Sequence, residues 1–251
     1  MMSQKETEYF NSVEFSIRSR YALFSDVLTR AGGEKVSYTV PTYEALKGAL
    51  HSIYWKPTFI WYVDSVRIMN PIRMARVGIR PLKYGGGNDL AYYTYLQNVH
   101  YQVKAHLEWN HNRPELDSDR SYAKHYSIAQ RMIERGGRRD VFLGTRDCQG
   151  YVEPCKFGDG KSAYDGNGIM PLSLMLHGFS YADEAYREED KGKMTVRFRQ
   201  PIMENGIIHF IRPEKCTITR HIKEMEIKPF GKENFSGLAE FSGGELDGLD
   251  E

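Results

Sequence analysis

The chain holds only three cysteines, Cys148, Cys155 and Cys216, at no metal-ligand spacing and in no even-numbered disulfide framework. That scarcity fits a reducing compartment better than an oxidising one. No run approaches the ~20 apolar residues of a membrane-spanning helix. The opening residues, MMSQKETEYF, lack the apolar stretch of a secretion signal. These absences predict a cytoplasmic protein with no membrane partner. Also missing are a P-loop, a G-x-S-x-G elbow and an H-E-x-x-H pair. His100, His106 and His111 are scattered over a strand and its exit without carboxylates at ligand spacing, so neither metal nor other cofactor is expected.

Charge of one sign is also lacking: the formal net charge of the 251 residues is +1. Its distribution is uneven. Arg120, Lys124, Arg131, Arg135, Arg138 and Arg139 face only Glu134 within residues 120–139, a local balance of +5, whereas residues 232–251 set six acids against Lys232, a balance of −5. A basic patch and an acidic tail hidden inside near-neutrality point toward nucleic acid.

Hydrophobic periodicity supplies the framework. Val13, Phe15 and Ile17 alternate with polar residues and predict a half-buried strand. The segment YALFSDVLTRAGGEK reads as a loop, and VSYTV (36–40) as a short strand. Leu46, Ala49, Leu50 and Ile53 recur at helical spacing and predict a helix over residues 42–54, stopped before Pro57. FIWYVDSVRIM (59–69) is β-branched and aromatic, a second strand. Residues 70–95 read as a long structureless excursion with tyrosines around Gly85, Gly86 and Gly87, which could be base-stacking platforms but are more simply packing. A third strand follows through residues 99–107, then a second helix ending at Gly136–Gly137, then VFL (141–143) beginning a fourth strand.

Strand, helix, strand, strand, helix, strand is the α+β ferredoxin-like (RRM-like) βαββαβ arrangement, expected over residues 1–154. Residues 155–228 predict a C-terminal antiparallel β-sheet extension, in which MTVRFRQPIM and GIIHFI flank an Asn205–Gly206 hairpin turn and CTITRHIKEM adds a strand. Residues 229–251 are acidic and predicted to be disordered.

Chemistry concentrates between Tyr122 and Glu153. Lys124–His125 has two registers. A helix starting at Ser127 leaves the pair in the preceding loop; one starting near Ser121 puts His125 on the apolar face with Ile128, Ala129 and Met132, where it could be an ordinary core histidine. Gly136–Gly137–Arg138–Arg139 reads either as a helix cap followed by cations at the negative end of the dipole or as a phosphate clamp, with Arg131 and Arg135 on the adjoining stripe. Gly144 either marks a bulge or turn or admits RNA backbone to main-chain amides, and Arg146 stands beside it.

The segments PTYEALKGALHSIYWKPTFIW, MNPIRM, GGNDLAYYTYL, AKHYSIAQRMIERGGRRDVFLGTRDCQGYVEPC and MLHGF, spread over residues 12–225, together resemble the Cas five-d family, CRISPR-associated endoribonucleases of the I-C (Dvulg) subtype in the RAMP superfamily. The resemblance implies a ferredoxin-like domain with a β-rich extension and metal-independent cleavage of precursor CRISPR RNA at the base of its repeat hairpin. It implies that the mature RNA stays bound and that the protein joins the other subunits of the I-C interference complex. The family's catalytic tyrosine falls on Tyr54, and its lysine–histidine pair on Lys124 and His125. Arg131, Arg135, Arg138, Arg139, Gly144 and Arg146 are the expected RNA contacts, with non-specific duplex DNA a further candidate partner for the basic surfaces.

Overall fold

A computed structural model of the chain describes residues 11–227; the expected acidic tail lies outside them. The spine is strand β5 (Ala91–Trp109), which is long enough to pair along its length with several partners. Strand β1 (Ser12–Ala22) and strand β3 (Phe59–Ile68) flank it, both antiparallel. Strand β7 (Gln149–Pro154) lies antiparallel on the outer side of β1. The order β7–β1–β5–β3 continues beyond β3 through β12 (Ile207–His209), β11 (Ile202–Glu204) and β8 (Ile169–Pro171). A separate antiparallel sheet is built from β9 (Met175–Ser180), β10 (Lys193–Arg199) and β13 (Ile218–Glu224).

One sheet face carries the core. Val13, Phe15 and Ile17 of β1 and Val103, Ala105 and Leu107 of β5 are buried there with Leu46, Ala49, Leu50 and Ile53 of helix α2 (Tyr43–Ile53) and Ala129 and Ile133 of helix α3 (Tyr122–Glu134). Because side chains alternate along a strand, Ser16 and Arg18 face the other way. Helix α2 starts where Thr42 caps it, accepting the Ala45 amide at 3.0 Å. It ends when Tyr54 turns extended (φ −158°) ahead of Pro57. Helix α3 begins at Tyr122, which selects the register that buries His125. It closes in a Schellman motif: the Gly136 amide meets the Ile133 carbonyl at 3.0 Å, and the Gly137 amide meets that of Met132 at 2.8 Å. Gly136 supplies the left-handed φ of +82° that this closure needs.

Several expectations are corrected. Residues 70–95 are not structureless: strand β4 (Met74–Ile79) pairs with the first part of β5, from Met74 opposite Leu96 to Ile79 opposite Ala91. Ala75, Val77 and Ile79 alternate with the exposed Met74, Arg76 and Gly78, and Val77 packs against the edge of the core with Tyr93. On the exposed side Arg76 lies over the Tyr92 ring, 4.2 Å from its centre. The loop read after β1 holds a short helix, α1 (Val27–Ala31), with Asp26 accepting the Leu28 amide at 3.0 Å. The strand expected at 36–40 shrinks to β2 (Lys35–Val36), parallel to β5. Val141–Phe142 forms only a short strand, β6, against β7; it is β7, not VFL, that lies beside β1.

The expected C-terminal sheet divides in two. Pro201, which cannot donate a ladder hydrogen bond, separates β10 from β11, and the β11–β12 hairpin joins the main sheet through β3. Its Asn205–Gly206 turn has φ of +48° and +82°, the two positive values a type I′ turn requires. Among the described residues, no helix is long and apolar enough to cross a membrane.

Candidate active site

The C-terminus of α2 and the first turn of α3 converge on one imidazole. The Trp61 indole donates to the Tyr54 carbonyl at 2.7 Å, fixing the backbone where α2 ends. From there the Tyr54 hydroxyl reaches Nδ1 of His125 at 2.7 Å. The other ring nitrogen, Nε2, donates to the Asp119 carbonyl oxygen at 2.8 Å. A carbonyl only accepts, so Nε2 carries the proton and Nδ1 of the neutral ring accepts from the phenol. Phe59 and Trp109 wall the imidazole edge-on, at ring-centre distances of 5.2 Å and 5.7 Å. His125 is fully buried (0 % exposed) and Tyr54 nearly so (3 %).

That burial sets the protonation states. Desolvation holds His125 below the usual imidazole range; the Asp119 carbonyl and charge pull the other way but lose. Desolvation, helped by the Asp119 charge and opposed by Arg138, pushes the Tyr54 phenol up to about 12. Neutral imidazole and neutral phenol are therefore the resting forms near pH 7.

Asp119 is the hub of the arrangement. It ends a 3₁₀ turn, Pro114–Asp119. One carboxylate oxygen takes the Lys124 ammonium and the other accepts the Thr58 hydroxyl at 2.7 Å. The latter oxygen also lies 3.5 Å from His125 Nε2. Burial opposes ionisation of Asp119, but the Lys124 and Thr58 hydrogen bonds outweigh it and keep the carboxyl below its ordinary value. Lys124 is half exposed and is the part of the cluster that solvent reaches. Sequence reading missed Asp119: it sits in a polar loop with no periodicity, and its place five residues before Lys124 was the only signal.

The Arg138 and Arg139 amides donate to the Ile53 and Ser52 carbonyls at 3.1 Å and 3.0 Å, clipping this segment onto the last turn of α2 beside Tyr54. Their side chains are exposed, as are those of Arg131, Arg135 and Arg146, while Arg131 Nε also donates to the Ser127 carbonyl at 3.3 Å. Gly144 has a different explanation. A β-carbon there would lie 1.9 Å from the Leu23 carbonyl oxygen, and φ is +102°. Close packing on the exit of β1 demands glycine whether or not RNA is present. Among the described residues, no group of three or more His, Cys, Asp or Glu side chains is placed to hold a metal ion.

Comparison with known proteins gives this geometry a context. Residues 12–211 match the family model described as CRISPR-associated protein (Cas_Cas5), of the Cas5d type. A protein of Mannheimia succiniciproducens named CRISPR pre-crRNA endoribonuclease Cas5d is 36% identical over 225 residues, covering 79% of this chain and 94% of its own. A protein of the same name from Thermus thermophilus is 27% identical over 199 residues, with 75% and 80% covered. A crystal structure of a CRISPR-associated protein superposes with a TM-score of 0.70 at 34% identity, covering 83% of this chain and 96% of that one. A functionally uncharacterized protein from Streptococcus mutans gives a TM-score of 0.69 at 36% identity, with the same coverage. With four-fifths of its length inside the family match, the chain belongs to the Cas5d family of CRISPR-associated proteins.

Proposed function

We propose that this chain is an endoribonuclease that cuts precursor CRISPR RNA at the base of the repeat hairpin without a metal ion. It keeps the mature RNA and enters the I-C interference complex with its partner subunits. The observation that carries the reading is the 2.7 Å contact between Tyr54 and His125, with the Lys124 ammonium beside them at the surface. Two relatives named as pre-crRNA endoribonucleases support the substrate.

RNA brings its own nucleophile, the 2′-hydroxyl. As that oxygen attacks the adjacent phosphorus, its proton passes to the Tyr54 oxygen while the phenol proton moves to Nδ1 of neutral His125. The imidazolium so formed has the Asp119 carboxylate 3.5 Å from Nε2. Lys124 neutralises the charge gathering on the phosphorane and protonates the departing 5′-oxygen, leaving a 2′,3′-cyclic phosphate and a 5′-hydroxyl. Because Tyr54 and His125 are closed off from solvent, cleavage includes a local opening over the Tyr54 hydroxyl that keeps Asp119 beside Nε2, and transfer of the Lys124 ammonium from Asp119 to phosphate. Arg138 and Arg139, on the rim of α2, hold the flanking phosphates; Arg131, Arg135 and Arg146 extend that cationic surface, which is also the candidate contact for duplex DNA.

The antiparallel order β7–β1–β5–β3 with α2 and α3 sharing one core supports reading residues 1–154 as a ferredoxin-like domain and 155–228 as its β-rich extension. One observation favours a second reading, a non-catalytic RNA-binding subunit: His125 is wholly buried with both ring nitrogens satisfied, as a core histidine would be. Incubation of the purified chain with its cognate repeat RNA in EDTA, with end-group analysis, decides between them. Cyclic phosphate and 5′-hydroxyl ends, abolished by a 2′-deoxy substitution at the cleavage site, are expected. Intact RNA that nevertheless stays bound would establish the scaffold instead.

A further inference from the structure

The sheet face turned away from α2 and α3 carries its own arrangement of cations and rings. In the antiparallel register, Arg18 of β1 stands opposite His100 of β5 on one side and Tyr151 of β7 on the other. The three side chains therefore form one row across adjacent strands, spanning roughly 10 Å at the usual strand spacing. Arg20, two residues further along β1, shares the face, and Arg73 enters from the segment before β4. With Asn98 they line an open groove of about 810 Å³.

The groove is a bounded feature. The other half of the same face is covered by residues 156–165: Gln102 donates to the Asp159 carbonyl at 2.7 Å and accepts the Gly158 amide at 2.9 Å, and Arg67 donates to the Gly158 and Gly160 carbonyls at 2.6 Å and 3.0 Å. That cover leaves the Arg18–His100–Tyr151 row open. Within the groove Asn98 holds a left-handed φ of +52°, with its carbonyl pinned by Asn70 at 2.9 Å. Non-glycine residues in that conformation gather at functional sites.

The positive charges outnumber the carboxylates near them. No carboxylate lines the groove, and among the described residues neither Arg20 nor Arg73 has an ion-pair partner. Arg18 has only Glu153, 3.9 Å away and exposed. Three guanidinium groups with one exposed carboxylate beside them suit an incoming polyanion, and they match phosphate oxygens in pairs. The rings decide which polyanion. Tyr151 is 63 % exposed, far more than packing requires. His100 is held in its neutral form by burial and the nearby Arg18 charge, with the Glu153 charge opposing them, and its Nε2 has no hydrogen-bond partner. The exposed Tyr151 phenol offers a stacking surface, which an acidic peptide would not use and a single-stranded nucleic acid does.

From this juxtaposition we infer that the Arg18–His100–Tyr151 row is a second RNA site, holding two or three unpaired nucleotides on the far side of the sheet from Tyr54 and His125. Base stacks on Tyr151 while Arg18, Arg20 and Arg73 take the flanking phosphates. Only the choice of RNA over DNA rests on the proposed function; the groove itself does not depend on Tyr54, Lys124 or His125.

The test measures binding rather than cleavage. A fluorescein-labelled oligouridylate of about eight nucleotides is titrated with the full chain in EDTA over a salt series. Tyr151→Ala is expected to weaken binding about tenfold, with Tyr151→Phe restoring it to within about twofold. Arg18→Gln with Arg73→Gln lowers the slope of log affinity against log salt by about 1.4. A 4-thiouridine probe should cross-link to the β7 peptide carrying Tyr151. Unchanged affinity in these variants, or cross-links confined to α2 and α3, overturns the site. Competition by polyglutamate that does not respond to Tyr151→Ala overturns it in favour of an acidic protein segment. The readout is affinity alone, so a parent chain that leaves repeat RNA uncut yet loses oligouridylate binding on Tyr151→Ala refutes the proposed cleavage and leaves this site standing.

Discussion

Tyr54 and His125, 71 residues apart in sequence, are joined hydroxyl to imidazole at 2.7 Å across the seam where the end of α2 meets the start of α3. Truncating His125 would strand both the phenol and the Asp119 carbonyl in a buried site, at a stability cost of about 1–3 kcal/mol, so the clean probes are its neighbours. Tyr54→Phe removes one oxygen and should slow single-turnover cleavage of repeat RNA about 100-fold with affinity unchanged. Lys124→Ala, at a half-exposed position, should cost a similar or larger factor while the melting temperature holds. Near-parental rates for both variants would remove the trio from the chemistry.

Asp119 gives a second, opposite expectation. Its carboxylate occupies the Lys124 ammonium, which the proposed mechanism hands to an RNA phosphate. Asp119→Asn removes that charge while retaining the carbonyl that accepts His125 Nε2, so it should tighten binding of a non-cleavable 2′-deoxy repeat RNA at low salt by about two- to fivefold. Weaker binding would mean that Asp119 instead holds Lys124 in its working position.

How far the sequence carried differs from element to element. Helix α2 was legible because Leu46, Ala49, Leu50 and Ile53 repeat with the helical period and Pro57 marks the stop. The start of α3 was not, because Ser121 and Ser127 both read as caps; burial of His125, Ala129 and Ile133 against the sheet settles the register. The β4–β5 ribbon escaped because its rhythm of Ala75, Val77 and Ile79 is short and only partly buried, and the glycines at 85–87 made the whole stretch read as loop. Asp119 escaped because a 3₁₀ turn is held by tertiary hydrogen bonds rather than by periodicity. The meeting of Tyr54 with His125 depends on how two helices close over one sheet, which no local pattern encodes; only the family resemblance pointed to Tyr54.

Histidine burial predicts the pH dependence of stability. Burial lowers His51 to about 3 and His177 to about 4, and also depresses His100 and His125. An unfolded chain takes up these protons near pH ~6.5 whereas the folded one resists, so stability is complete above that pH and falls as the pH drops toward about 4. His106 runs the other way. Burial opposes its charge, but Asp64 and Glu108 overcome it and raise the group to about 9. Its contribution is complete below about 6.5 and fades as the pH rises through about 9. Melting temperature against pH should therefore peak near neutrality, and His106→Gln should flatten the alkaline side only. A melting curve that keeps rising toward acid pH would contradict the reading of the four depressed histidines, and one that stays flat from pH ~6.5 to about 9 would contradict that of His106.

Gly144→Ala tests the alternative between packing and RNA contact. A methyl group there meets the Leu23 carbonyl oxygen at 1.9 Å from a left-handed backbone. Backbone strain alone costs about 1–3 kcal/mol, so the melting temperature should fall by roughly 5 °C or more. Affinity for RNA per folded molecule should not change. A stable Gly144→Ala protein with weakened RNA binding would restore the glycine to the interface.

Arg138 and Arg139 are held on the last turn of α2 by their own amides, so their side chains can be changed without unfolding the clip. If they grip phosphates, Arg138→Gln with Arg139→Gln should weaken repeat-RNA binding and lower the salt slope by about 1.4, since each lost single-strand phosphate contact removes about 0.7. The bond-breaking step should slow less than binding does, because neither arginine touches the reacting atoms in the proposed mechanism. Arg138 adds one further signature. Its charge opposes the upward shift of the Tyr54 phenol, so Arg138→Gln should move that titration higher, measurable by ultraviolet absorbance in alkaline solution. If the salt slope and the Tyr54 titration both stay at parental values, the two cations do no more than balance the dipole at the end of α3.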